Sequence, residues 1–136
     1  MTPQQVQMIQ STWQSVVPIK EKAAELFYGK LFELDPTLQP LFKGDMKEQG
    51  RKLMAMINVV VTNLDKLDTL VPAVQDLGKR HVAYGVTDAH YATVGGALLW
   101  TLAAGLGDAF TEDVKGAWAQ AYGVLSGVMT EAAATA

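Results

Sequence analysis

The chain has 136 residues, a formal net charge of −3 and an apolar fraction of 49%, which are typical of one globular domain. We therefore expect a single domain over residues 1–136. Lys and Arg form no cluster along the chain, so we expect no nucleic-acid partner. No run of about 18 apolar residues suggests a membrane span, and the first ten residues, MTPQQVQMIQ, lack the charged and apolar regions of a signal peptide. A cytoplasmic location is the resulting expectation.

The sequence contains no cysteine and two histidines, His81 and His90. The absence of cysteine excludes disulfides, thiolate zinc sites, iron–sulfur clusters and thiolate-ligated haem. It also excludes a haem or a bilin that is attached through a thioether. A metal held by imidazole would therefore depend on these two histidines.

The first half of the chain predicts helices that proline residues separate. The dipeptide Thr2-Pro3 predicts a first helix, with threonine as the N-cap and proline in the first turn. The apolar residues of this helix recur at helical spacing: Val6, Ile9, Trp13, Val16 and Val17. A second helix is predicted from about Pro18 to Asp35-Pro36, because the residue before a proline avoids the α region. A short helical turn is expected over residues 38–42.

The third and fourth predicted helices each place one polar residue on an apolar face. The third helix runs from about Lys47 to Leu64. One of its faces combines an amide with apolar side chains: Gln49, Leu53, Met56 and Val60. The fourth helix is predicted to stop near Gly85. One of its faces ends on a histidine: Leu70, Val74, Leu77 and His81.

Two further helices complete the predicted fold. The fifth begins at Thr87-Asp88 and ends over residues 105–107, and the last runs from Thr111 to about Met129. No segment alternates like a β-strand, since the β-branched run 59–61 lies inside a longer helical period. The sequence therefore predicts an all-α fold with about seven helices of unequal length.

His81 and Gln49 each allow a structural and a functional interpretation. A buried neutral histidine must satisfy both ring nitrogens, so His81 is either a core histidine with polar neighbours or a ligand. An uncompensated buried amide costs about 1–3 kcal/mol. Gln49 is therefore either solvated in the first turn of its helix or a donor that points into a pocket.

Three further residues carry the same two alternatives. Tyr28 lies in an aromatic cluster with Phe27 and Phe32, where it can be core packing or a hydrogen-bond donor to a bound ligand. Phe42 follows Pro40-Leu41 and can be a core residue or a wedge against a flat ring. For His90, in the first turn of the fifth helix, we favour a solvated position.

Three segments resemble the single-domain bacterial haemoglobins of the Vitreoscilla type and the globin domains of flavohaemoglobins. They are FYGKLFELDPTLQPLF at residues 27–42, QDLGKRHVAYGVTDAHYATVG at 75–95 and AWAQAYGV at 117–124. The resemblance covers nearly the whole chain, in order and with near-constant spacing. It implies a globin fold, a three-over-three helical sandwich around a non-covalent haem b. Truncated globins fit less well, because they lose most of the first helix, which is intact here.

On the proximal side, the resemblance implies that His81 is the haem-iron ligand. Tyr91 matches the tyrosine beneath this histidine, and Tyr122 matches a residue of the last helix that faces the proximal pocket. Arg80 lies where many relatives place a lysine, which leaves open a contact to a haem propionate or a reductase. Leu77 and His90 complete the predicted haem-binding set.

On the distal side, the resemblance implies that Tyr28 and Gln49 face the bound gas. Leu53, one turn after Gln49, matches the apolar residue above the iron. Phe42 matches the phenylalanine that stacks on the haem. The implied gas ligands are O2, NO and CO.

The chain departs from flavohaemoglobins at its end and on the proximal side. Flavohaemoglobins continue into a reductase, whereas this chain stops at Ala136, so we expect any flavin reductase to be a separate protein. Relatives place a proximal glutamate where this chain has Ala133. Glu131 lies two residues earlier, which rotates it by about 200° on a helix. We therefore expect His81 to donate to a backbone carbonyl near Leu77 and to stay a neutral imidazole.

The sequence leaves three functions open. A reversible O2-binding globin and a nitric-oxide dioxygenase with an external reductase need the same pocket, so the sequence does not decide whether the protein is an enzyme. A cofactor-free helical sensor is the third alternative, and an absorption spectrum of the purified protein separates it from the other two. The oligomeric state is also left open.

Overall fold

The computed structural model describes residues 2–42, 44–83 and 86–134. These residues form six α-helices, here α1 to α6: Pro3–Val16, Lys20–Leu34, Met46–Thr62, Leu67–Ala83, Asp88–Leu106 and Glu112–Ala134. Four short 3₁₀ segments join them: Val17–Ile19, Pro36–Leu41, Leu64–Lys66 and Gly107–Ala109. None of the described helices is long and apolar enough to span a membrane. The all-α prediction is confirmed.

Side chains that accept backbone N–H groups decide where several helices begin. The Thr2 hydroxyl accepts from the Gln5 amide N–H at 3.1 Å, and the Gln5 side chain accepts from the Thr2 amide N–H at 3.0 Å. This capping box satisfies two amides that the helix itself leaves unpaired. The Asp45 carboxylate accepts from the Lys47 amide at 2.9 Å, so α3 begins at Met46, one residue before the predicted start.

The structure corrects three other predicted boundaries. The segment from Pro18 is first a 3₁₀ turn, and α2 begins at Lys20. Phe42 lies beyond the Pro36–Leu41 turn in an extended conformation, with φ −98° and ψ 105°. The last helix begins at Glu112 rather than Thr111, because the Thr111 hydroxyl accepts from a helix amide, that of Val114, at 3.2 Å.

The sequence also predicts where α4 ends and where α5 begins and ends. The predicted stop at Gly85 lies outside the described residues, and α4 is described to Ala83. As predicted, α5 has Thr87 as its N-cap and ends before Gly107, whose φ of +57° favours glycine.

The helices form the two layers of a globin fold. Among the described helices, α4 packs most extensively against α6, and α2 packs against α5 and α3 while α1 packs against α6 and α3. Trp13 of α1 and Trp118 of α6 meet at the centre, with ring centroids 6.1 Å apart. Their indole N–H groups donate to Asn58 and Thr12, each at 3.0 Å. Both buried indoles are thus satisfied, and they hold α1 to α3 and α6.

A close helix crossing connects this core to the aromatic cluster of α2. A Cβ on Gly50 of α3 would lie 2.9 Å from the Cβ of Ala24 on α2. Both positions are buried, and a methyl group attached to a helix backbone has no rotamer that avoids the contact. The crossing therefore has room for one methyl group and not for two.

We predict that Gly50→Ala lowers the free energy of unfolding by about 1–3 kcal/mol, because overpacking forces the two helices apart. Urea unfolding monitored by circular dichroism measures the change. The matched control is Gly29→Ala on α2, where an added Cβ meets no atom within 4 Å. This control should stabilise the protein by about 0.5–1 kcal/mol, since alanine favours a helix interior. Equal effects of the two substitutions would contradict the close crossing.

Candidate functional site

His81 lies half-buried on α4, and its ring position follows from a hydrogen bond within its own helix. Its Nδ1 is 2.7 Å from the carbonyl oxygen of Leu77. A carbonyl oxygen can only accept, so Nδ1 carries the proton and donates. In the neutral ring, the lone pair then lies on Nε2. The prediction that His81 donates to a backbone carbonyl near Leu77 is confirmed.

The surroundings of His81 favour its neutral form. Burial lowers the pKa of the imidazole, the Leu77 hydrogen bond opposes this shift, and the nearby Arg80 charge adds to the lowering. A neutral imidazole with its proton on Nδ1 is the form in which Nε2 can bind a metal.

Tyr91 of α5 faces His81. The two rings are stacked with centroids 6.4 Å apart and planes inclined by 27°, and Tyr91 is buried. The Tyr122 hydroxyl of α6 donates to the Tyr91 carbonyl oxygen at 2.6 Å. Burial raises the pKa of Tyr122, so its phenol keeps the proton that it donates. His81, Tyr91 and Tyr122, three of the predicted proximal residues, therefore come together from α4, α5 and α6.

A second group of predicted residues meets around Tyr28 of α2, which is 7% exposed. Burial raises the pKa of Tyr28 to about 12, and a side-chain hydrogen bond with Gln49 acts in the opposite direction. The phenol therefore stays protonated at neutral pH and can donate. Gln49 is half-buried near Tyr28, so it is not a freely solvated residue of the first turn.

Aromatic rings fix the position of Tyr28. Its ring makes edge contacts with Phe27 and Phe42, at centroid distances of 5.1 and 5.4 Å, and it stacks on Phe32 at 6.0 Å. Leu53 packs against the same cluster. The structure thus brings together all four distal residues that the sequence predicts, and the aromatic packing of Tyr28 leaves its hydroxyl few alternative positions.

Helix α5 contributes to both groups. Tyr91 faces His81, and Val94, one turn later, packs against the Tyr28 cluster together with Ala97 and Leu98. The proximal and distal groups are therefore held by neighbouring turns of the same helix.

Other predicted residues lie away from these two groups. The Arg80 side chain is exposed and pairs with Asp76 at 3.2 Å. His90 Nδ1 accepts from the Thr87 amide N–H at 3.0 Å and completes the capping box of α5, so it is a cap and not merely a solvated residue. Glu131 is exposed and Ala133 half-buried, in agreement with the rotation expected for Glu131.

One predicted face is less buried than its pattern indicates. On α3, Met56 is 41% exposed, although it shares a face with Gln49 and Leu53. The buried residues of α3 are Gly50, Met54, Val60 and Val61, so Val60 of the predicted face is buried as expected, whereas Met56 lies at the border of the buried side. The two distal residues of α3, Gln49 and Leu53, are accordingly half-buried.

A bare metal ion and haem iron need different numbers of protein ligands. Within residues 2–42, 44–83 and 86–134, no group of three or more His, Asp or Glu could hold a metal ion. A bare ion such as zinc needs three or four protein ligands. Haem iron needs one, a proximal histidine, because the porphyrin supplies the other four nitrogens. The donor set around His81 therefore fits haem better than a free ion.

Comparison with known proteins gives a consistent result. The Globin family model matches residues 25–129. The chain is 34% identical over 137 residues to neuroglobin of Danio rerio, covering 90% of this chain and 86% of that protein. It is 33% identical over 119 residues to a flavohemoprotein of Bacillus subtilis, covering 82% of this chain and 30% of that protein. The structure of a bacterial globin from Campylobacter jejuni superposes with a TM-score of 0.85 at 26% identity, covering 98% of this chain and 97% of that one.

We predict that the two histidines carry their neutral proton on opposite nitrogens. His81 should be protonated at Nδ1, because it donates to Leu77, and His90 at Nε2, because its Nδ1 accepts from Thr87. Long-range proton–nitrogen NMR of the metal-free protein distinguishes the two tautomers, so each histidine is the control for the other. A shared tautomer would contradict one of the two hydrogen bonds.

A pH titration followed by the same NMR experiment tests the pKa of His81. Because burial lowers this pKa, its midpoint should lie below the value of about 6.5 for an unfolded histidine. The metal-free fold then keeps this contribution to stability above about pH 6.5 and loses it as the pH falls through the lower, folded midpoint. A midpoint above 6.5 would contradict the effect of burial.

Proposed function

The chain belongs to the globin family, and we propose that it binds non-covalent haem b through His81 and holds O2 reversibly beside Tyr28 and Gln49. The observation that carries the proposal is the Nδ1–Leu77 hydrogen bond, which fixes the ring of a half-buried imidazole with its proton on Nδ1. When bound, haem would supply an iron that takes up a diatomic gas, and His81 would hold it. NO and CO would be further ligands of this iron.

The distal residues suit a gas that becomes polarised when it binds. Tyr28 keeps its proton because burial raises the pKa of its phenol to about 12. A donor in a dry, low-dielectric environment stabilises negative charge more strongly than it would in water. Gln49 can hold the Tyr28 hydroxyl in place or donate alongside it. Both roles slow the release of the gas.

The proximal contacts favour reversible binding over oxidative chemistry. The Nδ1 proton of His81 goes to a neutral carbonyl, that of Leu77, whereas a carboxylate would give the imidazole anionic character. Glu131, the nearest carboxylate along α6 to the position where relatives carry the glutamate, is exposed. We therefore favour storage or delivery of O2.

A nitric-oxide dioxygenase is the second candidate function. The similarity to a flavohemoprotein over 82% of the chain favours it. Such an enzyme would need electrons from a flavin reductase, and consumption of NO in the presence of an added reductase tests this function directly. A cytoplasmic location would suit both candidates and stays a prediction from the sequence.

We predict that His81→Ala abolishes stable haem binding, because no other imidazole is in this position. An absorption spectrum of the purified variant measures the loss, and added imidazole should restore part of the bound haem. The matched control is His90→Ala, which removes the capping histidine and should keep a normal haem spectrum. If the control loses its haem and His81→Ala does not, then His90 is the ligand.

We predict that Tyr28→Phe accelerates O2 dissociation at least tenfold. A hydrogen bond to a charged partner contributes about 1.5–3 kcal/mol, and phenylalanine keeps the packing of the ring while it removes the donor. Stopped-flow displacement of O2 by CO measures the rate. The comparison variant is Gln49→Leu, which should have the smaller effect. If Tyr28→Phe stays within twofold of the wild type, Tyr28 is not the principal donor.

A further inference from the structure

Helix α6 touches the backbone of α4 close to His81. An ideal Cβ on Gly78 would lie 2.5 Å from the carbonyl oxygen of Met129 and 2.8 Å from its Cα. Both of these atoms belong to the backbone of α6, so no rotamer change can relieve the contact. Gly78 stands three residues before His81, on the adjoining turn of the same helix. The absence of a side chain at this position therefore sets how closely the His81 helix approaches α6.

The same helix also touches α5 close to Tyr91. The Tyr122 hydroxyl donates to the Tyr91 carbonyl oxygen at 2.6 Å. An ideal Cβ on Gly95 would lie only 2.8 Å from Cε2 of the Tyr122 ring. Gly95 follows Tyr91 by four residues and therefore occupies the next turn of the same helix. The Tyr122 side chain thus positions α5 in two ways: its hydroxyl binds the Tyr91 carbonyl oxygen, and its ring limits how closely α5 approaches α6 at Gly95.

Gly78 and Gly95 are more closely packed than the glycines of α6. Glycine in a helix interior costs about 0.5–1 kcal/mol relative to alanine. Gly116, Gly123 and Gly127 of α6 have no atom within 4 Å of an added Cβ. In contrast, Gly78 and Gly95 each have an α6 atom inside 3 Å. The two close approaches flank the stacked pair, one on each of the helices that carry it.

We propose that α6 sets the spacing between the His81 and Tyr91 rings, with Gly78 and Tyr122 as positioning residues. Gly78 fixes α4 against the backbone of α6 near Met129, and Tyr122 fixes α5 against a point two turns earlier on the same helix. Both contact points lie on α6. The 6.4 Å separation of the His81 and Tyr91 rings therefore depends on how α4 and α5 each pack against this one helix. The proposal rests on the proposed function of His81 as the haem ligand, since the spacing then decides how this imidazole is presented to iron.

The test compares haem-loaded variants by resonance Raman spectroscopy and by the rate of haem transfer to an excess of a high-affinity apoglobin. In Gly78→Ala, the new Cβ pushes α4 away from α6, so the iron–histidine stretching band of the ferrous protein should shift. Haem loss should become about tenfold faster or more. The matched control is Gly127→Ala on α6, which should keep the wild-type band and a rate within twofold.

Tyr122→Phe tests the other contact without adding volume. It removes the 2.6 Å hydrogen bond and leaves the ring beside Gly95, so the band should shift and haem loss should become about threefold to tenfold faster, the range of one hydrogen bond. If Gly78→Ala does not fold, Tyr122→Phe decides alone. Wild-type bands and rates in every variant that folds would overturn the proposal while His81 remained the ligand. A wild-type spectrum in His81→Ala would instead overturn the proposed function.

Discussion

The hydrogen bond from His81 Nδ1 to the Leu77 carbonyl oxygen is the constraint on which the proximal side depends. In an α-helix this oxygen also faces the backbone N–H of residue 81, four positions later. One carbonyl, with its two lone pairs, therefore holds both the backbone and the ring of the same histidine. The tautomer of His81 is therefore fixed by the helix backbone, without a second side chain, provided that α4 keeps its α-helical form through this turn.

Burial acts on both faces of the site in the same sense, because it keeps ionisable groups neutral. It lowers the pKa of His81 and raises the pKa of Tyr28 and of Tyr122. A neutral imidazole can give its lone pair to iron, and a protonated phenol can donate. The core therefore supplies one electron-pair donor and one proton donor at neutral pH, with α5 packed against both. No charged group has to be buried to build the site.

Local signals made much of this structure predictable. Caps and prolines marked the starts of α1, α2, α5 and α6 to within two residues, and the helical period placed His81 one turn after Leu77. The contacts that depend on two helices were not predictable in this way. Gly78 reads in sequence as a weak point of a helix, and only the backbone of α6 beside it explains why glycine occurs there. The exposure of Met56 and the hydrogen bond from Tyr122 to a backbone carbonyl likewise depend on how the helices pack together.

The Trp13–Trp118 pair that joins α1 to α6 gives the protein an intrinsic optical signal. Two indoles 6.1 Å apart with planes inclined by 53° are close enough for their electronic transitions to couple. They are held in one chiral arrangement by their hydrogen bonds to Asn58 and Thr12. The third tryptophan, Trp100, is 41% exposed and can contribute fluorescence that is sensitive to solvent. Near-ultraviolet circular dichroism therefore reports on the packing of α1 against α6, whereas quenching by solutes reports on the surface of α5.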